Sequence, residues 1–365
     1  MKRALILLCL GCYSCSQPKK NETSEELKYD SILGEIDKYL TSRIDSGFSG
    51  VALIADGNDI IFHKAYSRKG DSIDTNTAYA IASQAKSLTG LAIMQLHERG
   101  KLSVNDSITK YFNNVPSDKK AIKVRHLLTH TSGLGYCQCT DGETDEQQMI
   151  KGILSYPLEN AIGAKWSYHN ENYFLLASIV EKVSKLTFRN YVQQYILDVA
   201  GMNHTGQSGQ EKEKSVSMAP ITLATYQDQP VYEKSYSDGQ LKSDLVTHRL
   251  GAYFSTAEDM YRLALALKEN KLISASTLEM SLQPQTSGLV RTGLYWGYGW
   301  VYTMTNGKRI NILNSGREDW MMNSRMYMLE NGITFVVWSR DTMGPEKEAA
   351  ASLISLKLVE MLENY

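Results

Sequence analysis

The chain has 365 residues, of which 42% are hydrophobic and 22% charged, enough apolar material for one large domain or two interleaved ones. Its formal net charge is -1, and its Lys and Arg are scattered with no basic stripe to neutralise phosphates. That balance argues against nucleic acid as a partner.

The N-terminus reads Met1-Lys2-Arg3, then an apolar run from Ala4 to Gly11, then Cys12-Tyr13-Ser14-Cys15. Two basic residues ahead of an apolar stretch too short to span a bilayer read as a secretory signal. Residues 16–33 are polar and charged and read as a tether, leaving residues 34–365 as the folded domain. Within that body the cysteines are Cys137 and Cys139. This C-x-C pair lacks the second ligand pair of a structural zinc site and is badly spaced for bridging itself, so both are expected to be loop residues.

Residues 50–66 are two β-rich runs around Asp56-Gly57-Asn58-Asp59, a hairpin signal. From about residue 85 to 285 helical periods dominate: Leu88, Leu91, Ala92 and Leu96 share a face, and Gly100 is a C-cap candidate. Further helices are predicted at "NYFLLASIVEKVSKL" and "STAEDMYRLALALKENK", the second opened by Ser255 or Thr256 in a capping-box arrangement. Strands are predicted at 297–303, 308–314, 322–329 and 332–339, followed by the amphipathic helix "KEAAASLISLKLVEMLENY". Strands at both ends imply an α+β fold: one antiparallel sheet assembled from residues 34–75 and 286–365, with a mainly helical region, 76–285, inserted between them. A site is expected in the cleft where the two parts meet.

At the start of the first long helical pattern stands "ASQAKSLTG", which places Lys86 three residues after Ser83. On a helix those two side chains share a face. Ser83 is either an ordinary N-cap or a nucleophile with its activating amine. A serine hydroxyl needs a base within hydrogen-bond reach and donors for the developing oxyanion, and a buried amine can serve as that base. Spacing alone does not decide, because S-x-x-K recurs at Ser16 to Lys19 and at Ser117 to Lys120. His126 and His130, four apart, bring neither an H-E-x-x-H glutamate nor an obvious third ligand, so no metal is expected there.

In this order, "IASQAKSLTGLAIMQLHERGKLSVNDSITKYF", "VRHLLTHTSGL", "WSYHNENYFLLASIVEKVSKLTF", "AGMNHT" and "AYFSTAEDMYRLALAL" resemble the serine β-lactamase and penicillin-binding protein superfamily. The likeness is to class C β-lactamases and the related esterases and D-aminopeptidases, over about residues 35 to 362. It implies the β-lactamase/transpeptidase-like fold, Ser83 as nucleophile, Lys86 as its partner, and Tyr168 of Tyr168-His169-Asn170 as the phenol that shares the proton. It also implies that Asn170 bonds the lysine and the substrate amide. A second Tyr-x-Asn, at Tyr111 to Asn113, lacks the neighbouring "NYFLLASIVEKVS".

The last motif departs from the pattern. Asn314-Ser315-Gly316 stands where the superfamily has Lys- or His-x-Gly. Gly316 would let the substrate backbone approach the strand edge, and the Arg317 N–H would join that of Ser83 as an oxyanion hole. Asn314 forfeits the charge-assisted part of a bond to a substrate carboxylate, roughly 1–3 kcal/mol.

The resemblance therefore implies a cofactor-free serine hydrolase acting on a small-molecule or peptide ester or amide, with weak β-lactamase action at most. The alternative is a catalytically silent binding protein on the same scaffold, with peptidoglycan as its contact. The N-terminal segment is similar to a bacterial lipoprotein signal, with lipidation on Cys12 or Cys15 and an extracytoplasmic, membrane-anchored location; an ordinary cleaved signal is the alternative.

Overall fold

The computed structural model describes residues 24–69, 73–137, 145–207, 225–226, 229–230, 253–286, 294–305, 308–312, 316–318, 322–340 and 350–363. The signal segment with Cys12 and Cys15, the Asn306-Gly307 turn, and Asn314 and Ser315 lie outside the described residues.

The chain opens with α1 (Ser24–Ile44), β1 (Gly50–Asp56) and β2 (Asp59–Tyr66). The first helix begins inside the stretch read as a tether. Ile32, Leu33, Ile36 and Leu40 pack one of its faces onto the core, and that apolar register extends the helix back into polar sequence. The helical region holds α2 (Ala85–Glu98), α3 (Val124–Leu128), α4 (Asn170–Ser184) and α5 (Ala257–Lys268). The Thr256 hydroxyl caps α5 by accepting the Asp259 N–H at 3.2 Å. Strands then return as β3 (Leu294–Trp296), β4 (Val301–Thr305), β5 (Lys308–Ile312), β6 (Gly316–Glu318), β7 (Met322–Met328) and β8 (Ile333–Arg340), before α6 (Ala350–Leu362).

These strands form one antiparallel sheet in the order β2-β1-β8-β7-β5-β4-β3, with β6 also paired to β7. The two termini are joined at β1 and β8, in register from Gly50 opposite Ser339 to Asp56 opposite Ile333. Alternation along β1 explains why both faces are covered. Val51, Leu53 and Ala55 point to the helical region, against Leu88, Leu91 and Trp338. Ala52 and Ile54 point the other way, into a layer built by α1 and α6 with Ile36, Leu40, Ile354 and Leu358. This sandwich of helices on an antiparallel sheet is the expected β-lactamase/transpeptidase-like fold.

One close approach sets the height of α2 above the sheet. Gly90 on α2 meets Gly299, in the turn between β3 and β4, backbone to backbone. A β-carbon on Gly90 would stand 2.7 Å from Gly299 Cα and 2.9 Å from Tyr298 O.

Candidate active site

The peptide ahead of α2 is a short 3-10 turn, Ala82–Gln84. Ala82 takes φ 41°, a conformation that costs any residue with a β-carbon, and the turn delivers Ser83 to the cleft. Neither this turn nor α2 carries a side-chain cap, so the N-cap reading of Ser83 does not hold. Its hydroxyl is engaged elsewhere. Lys86 Nζ donates to Ser83 Oγ at 3.2 Å, and Ser83 Oγ lies 2.8 Å from Tyr168 OH, 85 residues away in sequence.

Lys86 sits in the first turn of α2 and is only 2% exposed. Among the described residues no carboxylate comes within ion-pair distance of it. Its ammonium instead faces aromatic rings, 5.0 Å from the centroid of Tyr168 and 5.9 Å from that of Tyr173. One amine, one hydroxyl and one phenol thus converge at a single point, with charge compensation left to ring faces.

Tyr168 is held by its neighbours on both sides. The Ser167 N–H donates to His130 O at 2.9 Å, and the His169 N–H reaches His130 Nδ1 at 3.4 Å. The Tyr168 ring lies 4.5 Å from that of His130 and 6.2 Å from Trp296, and Trp166 packs against Trp296 at 5.0 Å. Burial, reinforced by the charges of Lys86 and His169, holds the His130 imidazole well below its ordinary value of 6.5. His130 is therefore a neutral slab under the phenol. The His169 ring bridges outward, within 2.9 Å of Ser167 Oγ and 3.1 Å of Glu159 Oε2. None of this wall was anticipated from sequence, although the aromatic density of "WSYH" and of "LYWGYGW" is its visible trace.

Asn170 opens α4 and its side chain is exposed. The bond to Lys86 implied by the resemblance is absent, because Lys86 Nζ is turned to Ser83 and the rings. Among the described residues the Asn170 amide has no protein partner, and it faces solvent. Gly316 and Arg317 lie on β6, opposite Ser324 and Asn323 of β7, and β6 packs beside the turn that carries Ser83. His126 and His130 diverge: His126 Nδ1 accepts the Lys123 N–H at 3.1 Å, away from the cleft. Cys137 lies in a loop, as expected, and is disulfide-bonded. Glu171 of α4 accepts the Cys137 N–H at 3.0 Å and fixes that corner beside the site.

A hydroxyl, an amine and a phenol converging beside a sheet strand are a set of groups that can form and break an ester or amide through a covalent serine intermediate. The comparisons agree in kind. The beta-lactamase family model matches residues 36–358. PbpX of Bacillus subtilis strain 168, named as a penicillin-binding protein, is 30% identical over 302 residues, covering 81% of this chain and 73% of that one. Teichoic acid D-alanine hydrolase of Staphylococcus aureus is 27% identical over 277 residues, covering 71% of this chain and 62% of that one. The crystal structure of D-amino acid amidase from Ochrobactrum anthropi SV3, complexed with D-phenylalanine, shares the fold with a TM-score of 0.72 at 17% identity, covering 92% of this chain and 99% of that one. With matching sequence along nearly the whole sheet and helical region, the chain belongs to the beta-lactamase family.

Proposed function

We propose that the protein is a serine hydrolase acting through an acyl-enzyme on esters or amides of D-amino acids. The observation that carries this reading is the double hydrogen bond at Ser83 Oγ, from Lys86 and with Tyr168. With Lys86 donating to Oγ, the serine's own proton faces the phenol oxygen. In the reactive form the Lys86–Tyr168 pair is one proton short and takes the Ser83 proton as Oγ attacks the carbonyl carbon. The ammonium beside the Tyr168 ring steadies negative charge there, and the N–H groups of Ser83 and Arg317 receive the oxyanion. Tyr168 then hands its proton to the departing alcohol or amine, leaving acyl-Ser83. Water, deprotonated by the same pair, releases the acid and restores the hydroxyl.

The D-amino acid preference draws on the family members named for D-alanine hydrolysis and D-amino acid amides. A β-lactam is disfavoured because Asn314 lacks the charge that would hold its carboxylate. We infer an extracytoplasmic location as well, with a lipid anchor on Cys12 or Cys15; the disulfide at Cys137 fits an oxidising compartment.

The test is hydrolysis of three substrates in parallel, a D-alanyl ester, a penicillin and a small activated ester, by wild type and Lys86→Ala. Turnover of the D-alanyl ester in preference to the penicillin, lost in Lys86→Ala, is expected. Equal rates in both proteins would mean that the chemistry does not run through this site, and no turnover of any substrate would favour the silent-scaffold alternative.

A further inference from the structure

Behind the aromatic wall lies a second cavity of about 350 Å³, lined by Arg125, His126, Thr129, Thr131, Gln285 and Tyr298 among others. It shares no lining residue with the Ser83–Lys86–Tyr168 cluster. Among the described residues no carboxylate lines it either.

A hydrogen-bond inventory of the lining gives the cavity its character. The Arg125 guanidinium donates to Asn105 Oδ1 at 2.6 Å and, among the described residues, has no carboxylate within ion-pair distance. Asp106, next to Asn105 in the chain, is occupied by Lys110, Tyr111 and the Ser103 N–H. His126 Nδ1 accepts the Lys123 N–H, which puts the ring proton on Nε2. Burial and the charges of Arg125 and Lys123 press its titration down to about 4, so it stays neutral near pH 7. The Thr129 hydroxyl donates to Arg125 O at 2.8 Å and lies 2.8 Å from the Thr131 hydroxyl, so both threonine protons are spent inside the wall. Tyr298 OH donates to Gln285 Oε1 at 3.3 Å, leaving the Gln285 NH2 free. Among the described residues, what remains unspent is one positive charge and three sets of donors: guanidinium N–H, imidazole Nε2–H and carboxamide N–H. Such a lining is complementary to an oxyanion, since any neutral acceptor would leave the charge uncompensated.

We propose that this cavity is a binding site for a small oxyanion, of phosphate or carboxylate chemistry, separate from the catalytic cleft. Its volume is at the small end of those that hold organic ligands. The rest of the lining serves to aim the donors. Tyr298 fixes which end of the Gln285 amide faces inward, and Lys123 N–H fixes the tautomer of His126.

The test is thermal shift and tryptophan fluorescence of the full chain titrated with inorganic phosphate or acetate at constant ionic strength, with sodium chloride and glycerol as controls. Phosphate or acetate is expected to give a saturable response that sodium chloride and glycerol do not, and whichever of the two saturates at lower concentration identifies the ligand class. Arg125→Gln is expected to weaken it at least tenfold. Gln285→Ala, at an exposed position, is expected to weaken it about tenfold or more, the loss of one hydrogen bond to a charged group. The inference is overturned if no titrant saturates up to roughly 0.1 M, a range that fills any millimolar site. It is equally overturned if either variant binds as wild type does. Should Arg125→Gln fail to fold, Gln285→Ala alone decides. Binding is read without hydrolysis, so the result stands whether or not Ser83 proves to be a nucleophile.

Discussion

Two short motifs recur within the described residues, and the copies fare differently. Ser83 to Lys86 and Ser117 to Lys120 both start on 3-10 turns. The first continues into α2, which buries its lysine under rings; the second ends in a surface loop with Ser117 and Lys120 both exposed. There the buried lysine is Lys119, paired to Asp118 at 2.7 Å, and Lys120 contributes only its carbonyl, to the Ser107 hydroxyl. The Tyr-x-Asn copies diverge the same way. Tyr111 donates its phenol to the Asp106 carboxylate, and burial together with that carboxylate pushes its ionisation up. Tyr168 has an ammonium over its ring instead. A phenol beside a carboxylate keeps its proton. The neighbouring charge, not the motif, separates the two tyrosines.

That contrast can be broken most sharply at the nucleophile. Ser83→Ala is expected to lower ester hydrolysis by roughly 10⁴-fold or more, as loss of a covalent nucleophile does, while Ser117→Ala leaves kcat/KM unchanged. Next come the proton carriers. Lys86→Ala and Tyr168→Phe are each expected to cost about 10²- to 10⁴-fold in kcat with a smaller change in KM, and the double variant is expected to be little worse than either, because the two act as one unit. Lys120→Ala and Tyr111→Phe serve as the matched controls, with activity near wild type.

Smaller effects concern the scaffold under the first copy. Gly90→Ala forces a β-carbon against the backbone of Gly299. It is expected to lower unfolding free energy by about 1–3 kcal/mol in urea titration and to reduce activity by lifting Lys86. The neutral histidines give a pH dependence. In the unfolded chain His130 and His126 protonate below about 6.5, whereas the folded sites resist, His126 down to about 4. Stability is therefore full above pH 6.5 and falls as the pH drops towards 4, with a slope of at most ~1.4 kcal/mol per pH unit from His130. The half-buried His126 adds a smaller share. Urea midpoints at pH 7 and pH 5 measure this, and His130→Gln should flatten the difference.

How much of this could be read from the chain depended on whether the signal was local. The hairpin at β1–β2 was legible because Asp56-Gly57-Asn58-Asp59 dictates a turn between β-formers, and the Ser83–Lys86 face because helical spacing is fixed by geometry. The strands predicted at both ends were enough to expect a sheet built from both termini, which the β1–β8 register bears out. Three things were hidden. The early start of α1 depends on apolar residues beyond the polar stretch. The His130–Trp166–Trp296 wall joins three segments far apart in sequence, none with a periodicity of its own. The disulfide at Cys137 was not legible because cysteine spacing does not reveal connectivity.

The central claim is tested most directly by intact-mass spectrometry after incubation with a small activated ester or an active-serine probe, followed by peptide mapping. The expected result is one adduct per chain on Ser83, formed fast by wild type, slowly by Lys86→Ala and not at all by Ser83→Ala. Label on another residue, or label undiminished in Ser83→Ala, would contradict the account.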